Sequence, residues 1–191
     1  MDRVRSWPAQ LQPQGEAGLV AFARALGDAI VRAPVPCPII LLRGAMGAGK
    51  TTWTRGFAVG LRVDKPERVC SPTFTLAREH PAPMPLVHVD LCRLGELGDD
   101  PAAAVAAFES LGLDELAARA SGGAAVLVVE WSELWPESPA GALVLSLARV
   151  HGDPDARTIL CSGPDPWPQR VATAWDAAVG PVPGPPDPDA G

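Results

Sequence analysis

Residues 38–60, PIILLRGAMGAGKTTWTRGFAVG, constrain this chain more than any other stretch, because they read as a buried strand, a glycine-rich turn and a helix in direct succession. Gly44 to Thr51 fit the pattern G-x-x-x-x-G-K-[ST], and the apolar run Ile39 to Leu42 supplies the strand that such a loop follows. The pattern marks a phosphate-binding loop for a physical reason. Successive backbone N–H groups must curl around an anion, and Gly44, Gly47 and Gly49 let the main chain approach that closely. The N-terminus of a helix starting near Lys50 adds unpaired donors and the positive end of a dipole. Lys50 is expected to reach the β- and γ-phosphates, and the Thr51 hydroxyl to ligate a Mg²⁺ that keeps several of its waters.

The rest of the chain can be placed around that unit. From Glu16 to Arg32, the spacing of Leu19, Val20, Phe22, Ala23, Leu26 and Ile30 predicts an amphipathic helix, which Ala33-Pro34-Val35-Pro36 ends. Thr51 to Leu61 is expected as a second helix, with Phe57 and Leu61 facing a sheet. Pro85 to Leu91 reads as a strand with His88 and Asp90 on one face, and Ala124 to Trp131 as the most apolar strand of all. Helices are predicted over Ala102–Leu111 and Leu113–Arg119, covering a face of the sheet. Leu143–Val150 and Thr158–Cys161 look like strands joined by a hairpin-like turn at 151–155, and Trp167–Val179 like a closing helix with Val171, Ala174, Trp175 and Ala178 on one side. The fold class expected is α/β, a P-loop NTPase with a mostly parallel mixed sheet flanked by helices on both faces.

Length argues for a single domain over residues 1–179, with 1–15 an irregular lead-in and 180–191, which hold five prolines, a disordered tail. No apolar run reaches the about eighteen residues of a membrane span, and the N-terminus lacks a signal-peptide core, so a soluble cytoplasmic protein is expected. Cys37, Cys70, Cys92 and Cys161 are widely spaced and read as buried free thiols; with only three histidines, a zinc site has little to build on. A net charge of −6 with no cluster of lysines and arginines argues against this chain gripping nucleic acid alone.

Three further stretches carry candidate chemistry, each with a bland alternative. Ser71-Pro72-Thr73-Phe74-Thr75 places small hydroxyls around a stiff proline, suited to a loop that senses a γ-phosphate or to an ordinary turn. Asp90 stands near the C-terminal end of its strand, the edge at which open α/β sheets bind ligands, where it can meet a metal or an attacking water, or serve as a surface or capping residue. Glu130 ends the most apolar strand in a Walker B pattern, where an unpaired carboxylate is costly unless it meets a cation or turns to solvent.

Read together in this order, GAMGAGKTT, SPTFTL, HVDLCRL, ESLGLDE and VLVVEW resemble the TsaE family of bacterial P-loop ATPases over residues 16–165. The resemblance implies a small ATPase that works with the TsaB and TsaD proteins to form threonylcarbamoyladenosine at position 37 of tRNAs reading codons that begin with A, meeting tRNA only indirectly and no membrane. ATP and Mg²⁺ are the implied cofactors. Gly44, Met46, Gly47, Ala48, Gly49, Lys50, Thr51 and Thr52 then hold the phosphates, with Thr51 and Glu130 on the metal side. Ser71 and Thr73 become part of a nucleotide-sensing loop, Asp90 orients or deprotonates water, and Trp131 lies beside the nucleotide. Lys50, Asp90 and Glu130 are the implied catalytic residues. Ala45 stands where the family usually carries Asp, and Cys92 where it carries Tyr. Two other readings compete with the ATPase: a module for which ATP is mainly a conformational ligand, and a small-molecule kinase, which needs an acceptor pocket and usually an arginine-rich lid.

Overall fold

The computed structural model describes residues 7–72, 76–96, 106, 111–135 and 138–179. Its elements run β1 (Ala9–Leu11), α1 (Gly15–Arg32), β2 (Ile39–Arg43), α2 (Lys50–Gly60), β3 (Ala77–His80), β4 (Leu86–Asp90), α3 (Leu113–Ser121), β5 (Val126–Glu130), β6 (Leu143–Val150), β7 (Asp153–Ser162) and α4 (Trp167–Val179). Seven strands hydrogen-bond in the order β1-β7-β6-β2-β5-β4-β3. The four strands β6, β2, β5 and β4 run parallel to one another. The outer pairings β3 with β4, β7 with β6 and β1 with β7 are antiparallel.

The apolar runs of β2 and β5 are buried throughout because both faces of the sheet are covered. Ile40, Leu42, Val126 and Val128 join one core with Phe22, Phe57 and Trp175, from α1, α2 and α4. Ile39, Leu41, Leu127 and Val129 join a second core with Leu113, Ala117 and Ala120 of α3. Alternation along each strand thus feeds two cores, and the helices fall on both faces as expected. Burial of each large apolar side chain is worth about 1.5–3 kcal/mol, so these strands anchor the fold. Among the described residues no helix is long and apolar enough to cross a membrane.

Small residues set how closely α1 lies on α2. A Cβ at Gly60 would stand 2.1 Å from the Arg24 carbonyl oxygen, one at Gly27 2.6 Å from that of Phe57, and one at Gly56 2.9 Å from that of Val20. Backbone therefore meets backbone, and α1 is drawn alongside the helix that opens the phosphate-binding loop.

Three expectations are corrected. The lead-in is not irregular throughout: Ala9–Leu11 pairs with β7 and buries Leu11, while the Trp7 indole donates to the Gly163 carbonyl at 2.7 Å. The hairpin turn is tighter than 151–155, because β7 starts at Asp153, whose side chain accepts from the amides of Asp155 and Ala156, both at 3.0 Å. None of the four cysteines forms a disulfide, but only Cys161 is buried; Cys37 and Cys92 are half-buried and Cys70 is exposed. The helix expected over Ala102–Leu111 falls almost wholly outside the described residues, as does the tail from residue 180.

Gly60→Ala is expected to lower stability by about 1–3 kcal/mol through overpacking of the α1–α2 crossing. Val59→Ala, on the exposed side of the same turn, should change it by no more than about 0.5 kcal/mol. Urea denaturation of the two variants checks the contrast.

Candidate functional site

Parallel pairing carries the C-terminal ends of β2, β5 and β4 to one edge of the sheet. There β2 passes into a loop whose Gly44, Gly47 and Gly49 take φ values of 132°, 73° and 106°. Side chains rarely adopt these values, so the glycines of the motif meet a conformational demand. Space imposes a second demand. A Cβ at Gly44 would stand 2.2 Å from the Leu147 carbonyl oxygen, a backbone atom with no room to yield. No side chain caps the N-terminus of α2, whose N-cap is Gly49. Its first-turn donors therefore look to an external acceptor.

Lys50 folds back over this loop. Its Nζ donates to the carbonyls of Gly44 at 2.6 Å and Ala45 at 3.1 Å, and lies 3.8 Å from the centre of the Trp131 ring. Burial pushes the ammonium below the ordinary lysine range, against the opposing pull of Glu130, Glu133 and Asp90. An anion delivered to the loop offers this cation a stronger partner than two neutral carbonyls.

Glu130 ends β5 and is 1% exposed. Its Oε2 accepts from the Thr51 hydroxyl at 2.8 Å, and its Oε1 accepts from His88 Nε2 at 2.8 Å. The single hydroxyl proton of Thr54 is shared between Oε1 at 3.1 Å and the Lys50 carbonyl at 3.0 Å. The carboxylate is thus neither solvent-facing nor unpaired. Asp90 is its registered neighbour on β4. It accepts from the Ser71 hydroxyl and, at 2.9 Å, from the Cys92 amide. Ser71 follows a segment tied to α2 by the Arg55 side chain, which donates to the Val69 carbonyl at 3.2 Å.

These groups surround a cleft of about 510 Å³, within the range of ligand pockets. Of the expected residues, Met46, Gly47, Gly49, Lys50, Thr51, Thr52, Ser71, Asp90, Glu130 and Trp131 line it. Gly44 and Ala48 do not: Gly44 supplies a carbonyl to Lys50, and Ala48 is buried. Thr73 lies outside the described residues.

Sequence reasoning missed Thr54 and the pairing of His88 with Glu130. The signals were available, since Thr54 follows Thr51 at i+3 on one helical face and His88 precedes Asp90 at i+2 on one strand face. Glu16, Leu19, Arg93 and Arg157 also line the cleft, and no local pattern marks them.

Among the described residues no group of three or more His, Cys, Asp or Glu side chains could hold a metal ion. Mg²⁺ commonly takes one or two carboxylates, waters and phosphate oxygens in place of a protein cage. Two neighbouring carboxylates beside the Thr51 hydroxyl are the hard oxygen donors such an ion needs.

A family model described as threonylcarbamoyl adenosine biosynthesis protein TsaE matches residues 14–159. The tRNA threonylcarbamoyladenosine biosynthesis protein TsaE of Bacillus subtilis is 37% identical over 120 residues, covering 62% of this chain and 66% of that protein. Its namesake from Streptomyces coelicolor is 41% identical over 113 residues, 58% of this chain and 67% of that protein. The alignment with the Bacillus protein therefore spans just under two thirds of that relative's length. A crystal structure of Bacillus subtilis YdiB superposes with a TM-score of 0.62 at 26% identity, covering 87% of this chain and 93% of that one.

Thr54→Val removes a buried donor from Glu130 without changing side-chain volume much, and should cost about 1 kcal/mol of stability, whereas Thr54→Ser should retain most of it. Denaturant midpoints of the two variants measure the difference.

Proposed function

We propose a function from the premise that this chain belongs to the TsaE family of threonylcarbamoyl adenosine biosynthesis proteins: it binds ATP with Mg²⁺ and hydrolyses it to ADP and phosphate. The observation that carries this reading is the uncapped start of α2 with Lys50 folded over it, beside a Glu130 already bonded to the Thr51 hydroxyl. Main-chain amides of residues 44–51 and the Lys50 ammonium bind and neutralise the phosphates. Thr51 and Glu130 would hold Mg²⁺, whose bound charge offsets that of the transferred phosphoryl group. Asp90, held by Ser71 and the Cys92 amide, orients water for attack and receives its proton. Hydrolysis is slow in the isolated chain.

The cellular role proposed is to power threonylcarbamoyladenosine formation at position 37 of tRNAs reading codons that begin with A, alongside TsaB and TsaD proteins in the cytoplasm. The net charge of −6 supports contact with tRNA through those partners in place of a direct grip. One observation favours ATP acting as a conformational ligand within that machinery. The Arg55 bond to Val69 links the phosphate-binding helix to the 66–72 connection, and the Ser71 bond links that connection to Asp90 of β4, so filling the loop shifts that segment.

Lys50→Ala should bind ATP at least about tenfold more weakly while its circular dichroism spectrum stays unchanged, since the ammonium faces the ligand. Calorimetric titration checks the first half, and unaltered affinity refutes the assignment. Glu130→Gln should bind ATP yet hydrolyse it about 100-fold more slowly. If it still sustains repeated rounds of tRNA modification, the conformational reading replaces hydrolysis as the essential step.

A further inference from the structure

The two oxygens of the Glu130 carboxylate have different surroundings. Among the described residues, Oε2 accepts from the Thr51 hydroxyl alone, whereas Oε1 accepts from His88 Nε2 and from the Thr54 hydroxyl. Thr51 lines the cleft, and His88 and Thr54 do not. One oxygen therefore looks toward the cleft and the other back into the protein.

Strand register puts His88 where it can make this bond. Asp90 pairs with Glu130, and His88 pairs with Val128, two residues before it. Alternation sets His88, Asp90, Val128 and Glu130 on one face of the β4–β5 pair, the face that α2 covers. The imidazole thus reaches the carboxylate diagonally across the two strands, from a place that is 0% exposed. Of the two donors on Oε1 it is the firmer. Its bond is 2.8 Å long, against 3.1 Å for Thr54, whose single proton has the Lys50 carbonyl as a competing acceptor. His88 Nδ1 is buried with no partner among the described residues, so the bond to Glu130 is the ring's only polar tie there. An apolar side chain would fill the same space and leave no nitrogen unpaired, which makes the hold on Glu130 the physical use of an imidazole at this position.

That hold matters because the last torsion of a glutamate is soft, and nothing in the side chain itself fixes the plane of its carboxylate. A cation beside Thr51 meets Oε2, and the anchoring of Oε1 decides where Oε2 stands. We propose that His88 is a positioning residue: by holding Oε1 it fixes the Glu130 carboxylate so that Oε2 is set for a divalent cation beside Thr51. The proposal rests on the reading of the cleft as a site for ATP with Mg²⁺. His88 touches neither ligand and acts through Glu130, as the outer partners of metal-binding side chains commonly do. Phosphate binding by the loop amides and Lys50 does not pass through it.

Calorimetric titration of the full chain with ATP, once in Mg²⁺ and once in excess EDTA, separates the metal from the phosphates. For His88→Asn, whose shorter amide falls near the Nδ1 position, ATP affinity in EDTA is expected to stay within about twofold of the unaltered chain, while the gain in affinity that Mg²⁺ brings falls about tenfold. His88→Gln, whose amide nitrogen can stand in for Nε2, should recover most of that gain. ATP binding retained in EDTA also shows that each variant is folded. A merely structural histidine would lower the denaturation midpoint of both variants and leave the Mg²⁺ gain of the folded chain unchanged, which overturns the proposal. Equal weakening with and without Mg²⁺, or equal loss in the Asn and Gln variants, overturns it too. If the unaltered chain binds no ATP in either condition, the ATP reading itself fails; if it binds ATP equally well in both, the place of Glu130 beside the metal falls, and this proposal with it.

Discussion

A carboxylate buried at the end of an apolar strand has to be compensated, and how Glu130 is compensated determines where the other parts of the site lie. Leaving it unpaired at 1% exposure would cost several kcal/mol. Donors come from two different elements: Thr51 and Thr54 from α2, and His88 from β4. These bonds fix the rotation of α2 about its axis and hold β4 and β5 in a shared frame. The same rotation aims the open N-terminus of α2 at the loop after β2, and brings the Lys50 ammonium over the Gly44 and Ala45 carbonyls. Phosphate binding and carboxylate burial are in this sense one geometric solution.

The second constraint lies between helices. Because Gly27, Gly56 and Gly60 let α1 and α2 meet backbone to backbone, α1 runs beside the loop and does not stand off from it. Leu19 then reaches Gly49 and Glu16 reaches the cleft. On the other flank, the β6–β7 hairpin brings Arg149 to the Gly47 carbonyl. A loop that is mostly backbone is thereby held from three sides: by the Glu130 network below, by α1 and by the hairpin. Held in advance, it can present its amides to an anion with little reorganisation.

Much of this was legible from residue order, for reasons that differ by element. α4 was read with the bounds it has, since Val171, Ala174 and Trp175 repeat at helical period and pack on α1, where Trp175 meets Phe22 edge-on. Strand β5 was plain because burial on both faces demands an unbroken apolar run. Its terminal Glu130 stood out for the same reason. Strand β1 was not legible: three residues carry no period, and only pairing with β7 makes them a strand. The start of β7 was hidden because cross-strand register, not local composition, carries it back through Pro154 to Asp153. Thr54, Glu16 and Arg157 acquire significance only through neighbours distant in sequence, which no spacing rule displays.

The central claim is that residues 44–51 are a cradle built for a nucleotide's phosphates, with Lys50 resting on loop carbonyls until an anion takes their place. A crystal structure of the chain with a non-hydrolysable ATP analogue and Mg²⁺ tests it most directly. The account predicts phosphate oxygens among the loop amides, Lys50 Nζ moved from the Gly44 and Ala45 carbonyls onto phosphate, and the metal beside Thr51 and Glu130. An analogue bound elsewhere, with Lys50 still on both carbonyls and the Thr51–Glu130 bond intact, contradicts it.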